Sequence, residues 1–173
     1  MGWIRLFSFL LVSLALLGFT LRRPHSHRGY RFIAFECILA LTFLQAGIWF
    51  EEPFRLIQII SWIALVGSLV LALYGFRVLR TQGAPEQDLE DTTVLVTTGA
   101  YRYIRHPLYA SLLLFGIGAF LKQISLPSGL LTIMLFFALY MTARVEERSN
   151  RDRFGEAYAD YMKRSKMFIP FFI

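Results

Sequence analysis

Five apolar runs divide the chain: Trp3 to Leu21, Phe32 to Phe50, Leu56 to Leu79, Leu108 to Leu121 and Leu130 to Thr142. Each of the first three is long enough to cross about 30 Å of hydrocarbon as a helix rising about 1.5 Å per residue. The last two are shorter than the roughly 20 residues a span usually needs. Pro127 and Gly129 lie between them, so the two runs read as a helical hairpin, with short helices extended by polar ends or set in locally thinned bilayer. The expected fold is all-α, a polytopic membrane bundle of about five transmembrane helices with a C-terminal cytoplasmic helical segment. Residues 1–80 are expected to form a three-helix membrane unit, 81–98 a polar linker, and 99–173 a helical hairpin with its tail, all within one integrated domain. The apolar run after Arg5 resembles the start of a signal peptide, but it has no small-residue cleavage pattern and is followed by basic residues, so a retained helix is expected.

Charge orients this bundle. Arg22, Arg23, Arg28 and Arg31 follow the first run, and Arg80, Arg102 and Arg105 lie between the third and fourth, with Arg77 near the end of the third. The tail carries Arg144, Arg148, Arg151, Arg153, Lys163, Arg164 and Lys166. In a five-helix arrangement all of these share one side, and only Arg5, Arg55 and Lys122 fall on the other. The rule that basic residues stay inside therefore puts the N-terminus outside, and the C-terminus with the candidate active site in the cytoplasm. The net charge of +6 is then a topology signal that calls for no nucleic-acid partner. With 56% hydrophobic residues the chain is too apolar for a soluble domain of this length. Its single cysteine, Cys37, excludes a disulfide framework and a cysteine-based zinc site. His25 and His27 have no third ligand nearby and read as headgroup-facing loop residues, so no metal is expected.

Polar chemistry concentrates at one place, Gly99 to Ser111, reading Gly-Ala-Tyr-Arg-Tyr-Ile-Arg-His-Pro-Leu-Tyr-Ala-Ser. Pro107 fixes its own φ and biases His106 away from helix, so a helix is expected to begin at Pro107. The free N–H groups of its first turn, with Arg102 and Arg105, make an anion site. Tyr101, Tyr103 and Tyr109 add flat surfaces suited to an aromatic ring or a sulfonium cation. Arginine and tyrosine at a membrane boundary also serve simply as headgroup anchors.

Further down the chain come Glu146-Glu147, then Phe154-Gly155-Glu156-Ala157-Tyr158-Ala159-Asp160-Tyr161, Arg164 and Pro170. In this order and spacing the chain resembles the isoprenylcysteine carboxyl methyltransferase family and the related phospholipid methyltransferases, over roughly its last half. It departs from the family pattern at Ser111, where glycine usually follows Arg-His-Pro-x-Tyr by two residues. The resemblance implies S-adenosyl-L-methionine as cofactor, held by Tyr101, Arg105, His106, Pro107, Tyr109, Glu146 or Glu147, Tyr158, Tyr161 and Arg164. It implies a lipid-like or prenylated acceptor within the membrane lipids. A carboxylate acceptor is already ionised near neutral pH and would be positioned by Arg102 or Arg148, with Glu147 at the reacting end. An amine acceptor would need a glutamate or His106 as base. The alternatives to carboxyl methylation are N-methylation of a phospholipid amine and a membrane interaction protein without activity.

Overall fold

The computed structural model describes residues 2–21, 28–84 and 92–170. Its helices are α1 (Gly2–Leu21), α2 (Arg28–Leu44), α3 (Leu56–Gln82), α4 (Pro107–Lys122), α5 (Leu126–Phe154) and α6 (Glu156–Arg164), with a short 3-10 turn at Gly99–Arg102 before α4. Among the described residues there is no strand, only an isolated parallel pairing of Ile104 with Lys166. His25, His27, all four linker carboxylates and the last three residues lie outside the described residues.

Local chemistry explains where the helices begin. Pro107 stands in the first turn of α4 behind His106, whose φ of −124° and ψ of 64° keep it out of the helix; the missing N–H of proline costs nothing there. Ser125 caps α5, its side chain accepting from the Ser128 N–H while Ser128 Oγ accepts from the Ser125 N–H at 3.1 Å. Gly155, at φ 57°, turns the chain from α5 into α6.

Two boundaries differ from the apolar pattern. The second run extends to Phe50, yet α2 stops at Leu44 and the chain continues in turns. These turns bring the Trp49 ring to 6.3 Å from both Trp62 and Phe115, and the aromatic packing replaces further helix. The fifth run ends at Thr142, yet α5 continues to Phe154. The charged turns beyond Thr142 leave the apolar stretch without leaving the helix, since arginine and glutamate are good helix formers.

The helices pack in two main pairs, α3 on α4 and α2 on α5, with α1 outside against α2. Small residues allow the close approach between α2 and α5, where Ala34 and Cys37 meet Leu135, Ala138 and Leu139. Between α3 and α4, Ser61 Oγ donates to the Gly118 carbonyl at 2.7 Å and Gln58 Nε2 to the Lys122 carbonyl at 2.9 Å. The outward faces of α1 and α3 stay apolar, with Leu14, Leu69, Val70 and Leu73 all exposed, as a lipid-facing surface requires. By length and composition, Leu56–Gln82 and Leu126–Phe154 can each cross a membrane, while α4 and Gly2–Gly18 are shorter apolar helices. The chain is a membrane protein.

Gly118 is where this packing tolerates least. A Cβ there would sit 2.9 Å from Leu65 Cγ and 3.2 Å from the Leu65 backbone nitrogen, which cannot rotate away. Gly118→Val is expected to cost about 1–3 kcal/mol of overpacking. That lowers the detergent-phase melting temperature by about 2–4 °C per kcal/mol, whereas Gly29→Ala, with open space around it, leaves the melting temperature unmoved.

Candidate active site

Gly99 sets the entry to the Arg-His-Pro loop. It holds φ 59°, and a Cβ would lie 2.6 Å from the Tyr74 hydroxyl, so only glycine fits. After the 3-10 turn the chain runs beside its own tail. Lys166 N–H donates to the Tyr103 carbonyl at 3.0 Å, Arg105 N–H to the Lys166 carbonyl at 2.7 Å, and His106 N–H to the Met167 carbonyl at 3.1 Å. The Tyr161 hydroxyl, on α6, donates to the Tyr101 carbonyl at 2.5 Å. Three parts of the chain distant in sequence are thus fastened together: the loop, the end of α5 and the tail.

Their charged side chains meet at the fastening. Arg105 Nε donates to Glu147 Oε1 at 2.7 Å, and Arg105 Nη1 to the Ser165 carbonyl at 2.5 Å. Glu147 is only 3% exposed, so the guanidinium is the compensation its charge needs. His106 lies between the two carboxylates, Nδ1 3.5 Å from Glu146 Oε2 and Nε2 3.7 Å from Glu147 Oε1. Its Nε2 is buried and makes no hydrogen bond. The ring stacks on Tyr109 at 5.5 Å, and the Tyr109 hydroxyl donates to Glu146. Burial opposes a charge on His106, but the flanking Glu146 and Glu147 outweigh it and push the imidazole pKa up. On α6, burial and then Glu147 push the Tyr158 phenol up to about 12, so its hydroxyl stays a hydrogen-bond donor.

Beside this cluster opens a cavity of about 340 Å³, within the range of roughly 300–1,000 Å³ typical of small-molecule sites. Tyr101, Arg105, His106, Tyr109, Glu146, Tyr158 and Tyr161 line it, so seven of the residues singled out in the sequence share one wall. Glu147 stands behind them on Arg105. Pro107 is buried against Gly75 of α3, with a packing role. Arg102, Arg148 and Arg164 are exposed and do not line the cavity. The Arg102 guanidinium lies over the Tyr103 ring, and Arg164 Nε contacts the Asp160 carbonyl in its own helix. Ser111 fills the place of the expected glycine with its hydroxyl donated to the Leu108 carbonyl at 2.6 Å, and it takes part in the lining.

Sequence reading missed Arg31, Thr92, Leu95 and Asn150, which also line the cavity. Arg31 comes from α2, where no motif marks it. Asn150 has a legible spacing, one turn beyond Glu146 on the same face of α5, but nothing in an isolated asparagine distinguishes it.

The site can be read along α5. Leu139, Glu146, Asn150 and Phe154 all line the cavity and fall on one helical face, spanning about 22 Å of rise. With Phe35 and Leu112 opposite Leu139, one end is an apolar slot. Next along α5 come the charged groups, and beyond them an amide among aromatic rings and the aliphatic Leu79 and Val96 that pack on Tyr101. The lining suits a positively charged organic group: the Glu146 carboxylate and the faces of several tyrosines border the cavity, with Glu147 behind the wall on Arg105. Among the described residues no cluster has metal-binding composition.

Comparison with known proteins places the chain in a family. Residues 56–157 match the family model described as phospholipid methyltransferase. Over 126 residues, 65% of the chain, it is 32% identical to the protein-S-isoprenylcysteine O-methyltransferase of Xenopus laevis, and the match covers 42% of that protein. It is 30% identical over 124 residues to the Homo sapiens protein of the same name, covering 43% of it. The chain therefore spans less than half the length of the curated relatives it matches.

The His106 arrangement sets a pH dependence with a definite sign. A histidine whose pKa is raised on folding contributes stability in full below its unfolded value of about 6.5, and that contribution is lost as pH rises through the folded value. The melting temperature of the detergent-solubilised chain is expected to fall as pH is raised above about 6.5. Glu146→Gln, removing one of the two carboxylates, is expected to flatten that slope.

Proposed function

We propose that this chain, which belongs to the phospholipid methyltransferase family, transfers a methyl group from S-adenosyl-L-methionine to a carboxylate on an isoprenylcysteine-like lipid. The observation that carries the reading is that Arg105, His106 and Glu146, with Glu147 held behind them, meet at the wall of a cavity lined otherwise by apolar and aromatic side chains.

When bound, S-adenosyl-L-methionine supplies a methyl group on a positively charged sulfur. The residues fit such a group. Glu146 and the Tyr109 and Tyr158 rings offer negative charge and π-faces to a cation, and His106 stacks on Tyr109 to hold that ring in the wall. Arg105 holds Glu147 and the tail rather than the ligand, so it shapes the pocket and excludes water. The acceptor chain would occupy the slot between Phe35, Leu112 and Leu139, with Arg31 bringing positive charge to the wall where a carboxylate head meets the charged groups. A carboxylate needs no proton removed, so what the site provides is alignment and desolvation. The naming of the relatives as isoprenylcysteine O-methyltransferases favours this acceptor over a phospholipid amine. We place about five helices across the membrane, with the N-terminus outside and the cavity at the cytoplasmic face, because the basic residues gather on that side.

The test is a methylation assay on the full chain in lipid vesicles, offering a farnesylated cysteine derivative with a free carboxylate and, separately, phosphatidylethanolamine. Methyl-ester formation on the first supports the reading, and N-methylation of the second alone contradicts it. His106→Ala and Glu146→Gln are each expected to weaken binding of S-adenosylmethionine by about tenfold or more, the scale of one charge-assisted contact. Lys163→Gln, in an exposed pair with Asp160, is expected to leave it unchanged.

A further inference from the structure

Asn150 remains without a role in the wall just described. It stands on α5 about 6 Å beyond Glu146 and about 6 Å short of Phe154, on the same face as both. The Asn150 amide donates one N–H to the Tyr158 hydroxyl oxygen, which leaves its other N–H and its carbonyl oxygen for a ligand. Tyr101 and Tyr161, hydrogen-bonded to one another through the Tyr101 carbonyl, complete this end.

We propose that the Asn150 amide reads the edge of the methyl donor's adenine, with the Phe154 and Tyr158 rings as the walls of the base site. This rests on the methyl-donor reading above and goes beyond it by naming what selects the base. A primary amide offers a donor beside an acceptor and carries no charge. It is therefore matched to neither the sulfonium nor the amino-acid end of the cofactor, both of which are charged and find their partners at the charged groups. An uncharged heterocycle presenting a donor next to an acceptor is its complement, and adenine does so at its amino group and adjacent ring nitrogen. The surrounding rings supply stacking that any base accepts, so they give affinity while the amide gives selectivity. The order along α5 places each part correctly: the lipid slot at Leu139, the reacting charges at Glu146, and the base farther out, toward water, from which a soluble cofactor arrives.

The experiment is calorimetric titration of the detergent-solubilised full chain with three ligands. These are S-adenosylhomocysteine, its inosine counterpart bearing a carbonyl oxygen in place of the amine, and methylthioadenosine, which lacks the amino-acid end. The parent chain is expected to prefer the adenosyl over the inosyl compound by about tenfold. Asn150→Leu is expected to weaken S-adenosylhomocysteine and methylthioadenosine alike by about tenfold and to bring the two bases within about twofold of each other. An unchanged melting temperature of the ligand-free variant shows that the fold is intact, and Asn150→Ala repeats the measurement if the leucine chain does not fold. Unaltered affinity overturns the inference, and so does a loss confined to S-adenosylhomocysteine, which would put Asn150 on the amino-acid end. A parent chain that binds no adenosyl compound overturns the methyl-donor reading itself, whereas a binding parent with an indifferent Asn150→Leu overturns only the base assignment.

Discussion

The structure depends on one buried ion pair, Arg105 with Glu147. Taking a carboxylate and a guanidinium out of water costs several kcal/mol per ion, and a pair repays this only with close geometry and further hydrogen bonds. Both are present: a 2.7 Å contact, and a second nitrogen of the same guanidinium on the Ser165 carbonyl. The pair is weak as a source of net stability and strong as a source of register. Arg105 belongs to the loop, Glu147 to α5 and Ser165 to the tail, so the wrong docking of any one leaves a buried charge uncompensated.

What that register creates is a site with an order to it. The same α5 face that carries Leu139 in the apolar core carries Glu146 among the charged groups and Phe154 among the aromatic rings. A lipid and a water-soluble cofactor cannot share a solvent, and a cavity whose polarity changes along one helix lets each approach from its own. In the proposed reading the reacting atoms would meet at the level of His106 and Glu146, beneath the tail, where little water competes with fixed charges. Such a site would need no nucleotide-binding sheet, since a loop, the α5 face and a tail would hold the cofactor.

The helical core and the heart of the site were legible in the sequence because their signals are local. Apolar runs mark helices, Pro107 marks the start of α4, and linked motifs brought Tyr101, His106, Tyr109, Glu146 and Tyr158 to attention before any fold was known. What escaped depends on tertiary contact. The end of α2 is decided by Trp49 packing on Trp62, which no periodicity reveals. Arg102 and Arg148 carry the same charge and neighbourhood as Arg105 in sequence, but helical phase turns them outward. Arg31 and Asn150 enter the cavity only because α2 lies against α5 and α6 folds back onto α5.

The most direct test of this account is a double-mutant cycle on the pair, with S-adenosylhomocysteine affinity as the readout. Arg105→Met, Glu147→Leu and the double variant are compared with the parent in detergent. If the pair holds the pocket together, either single substitution loses about as much affinity as both combined, giving a coupling of about 1–3 kcal/mol. Losses that simply add, or single variants that bind as the parent does, would show that the loop, α5 and the tail do not depend on one another to build the site.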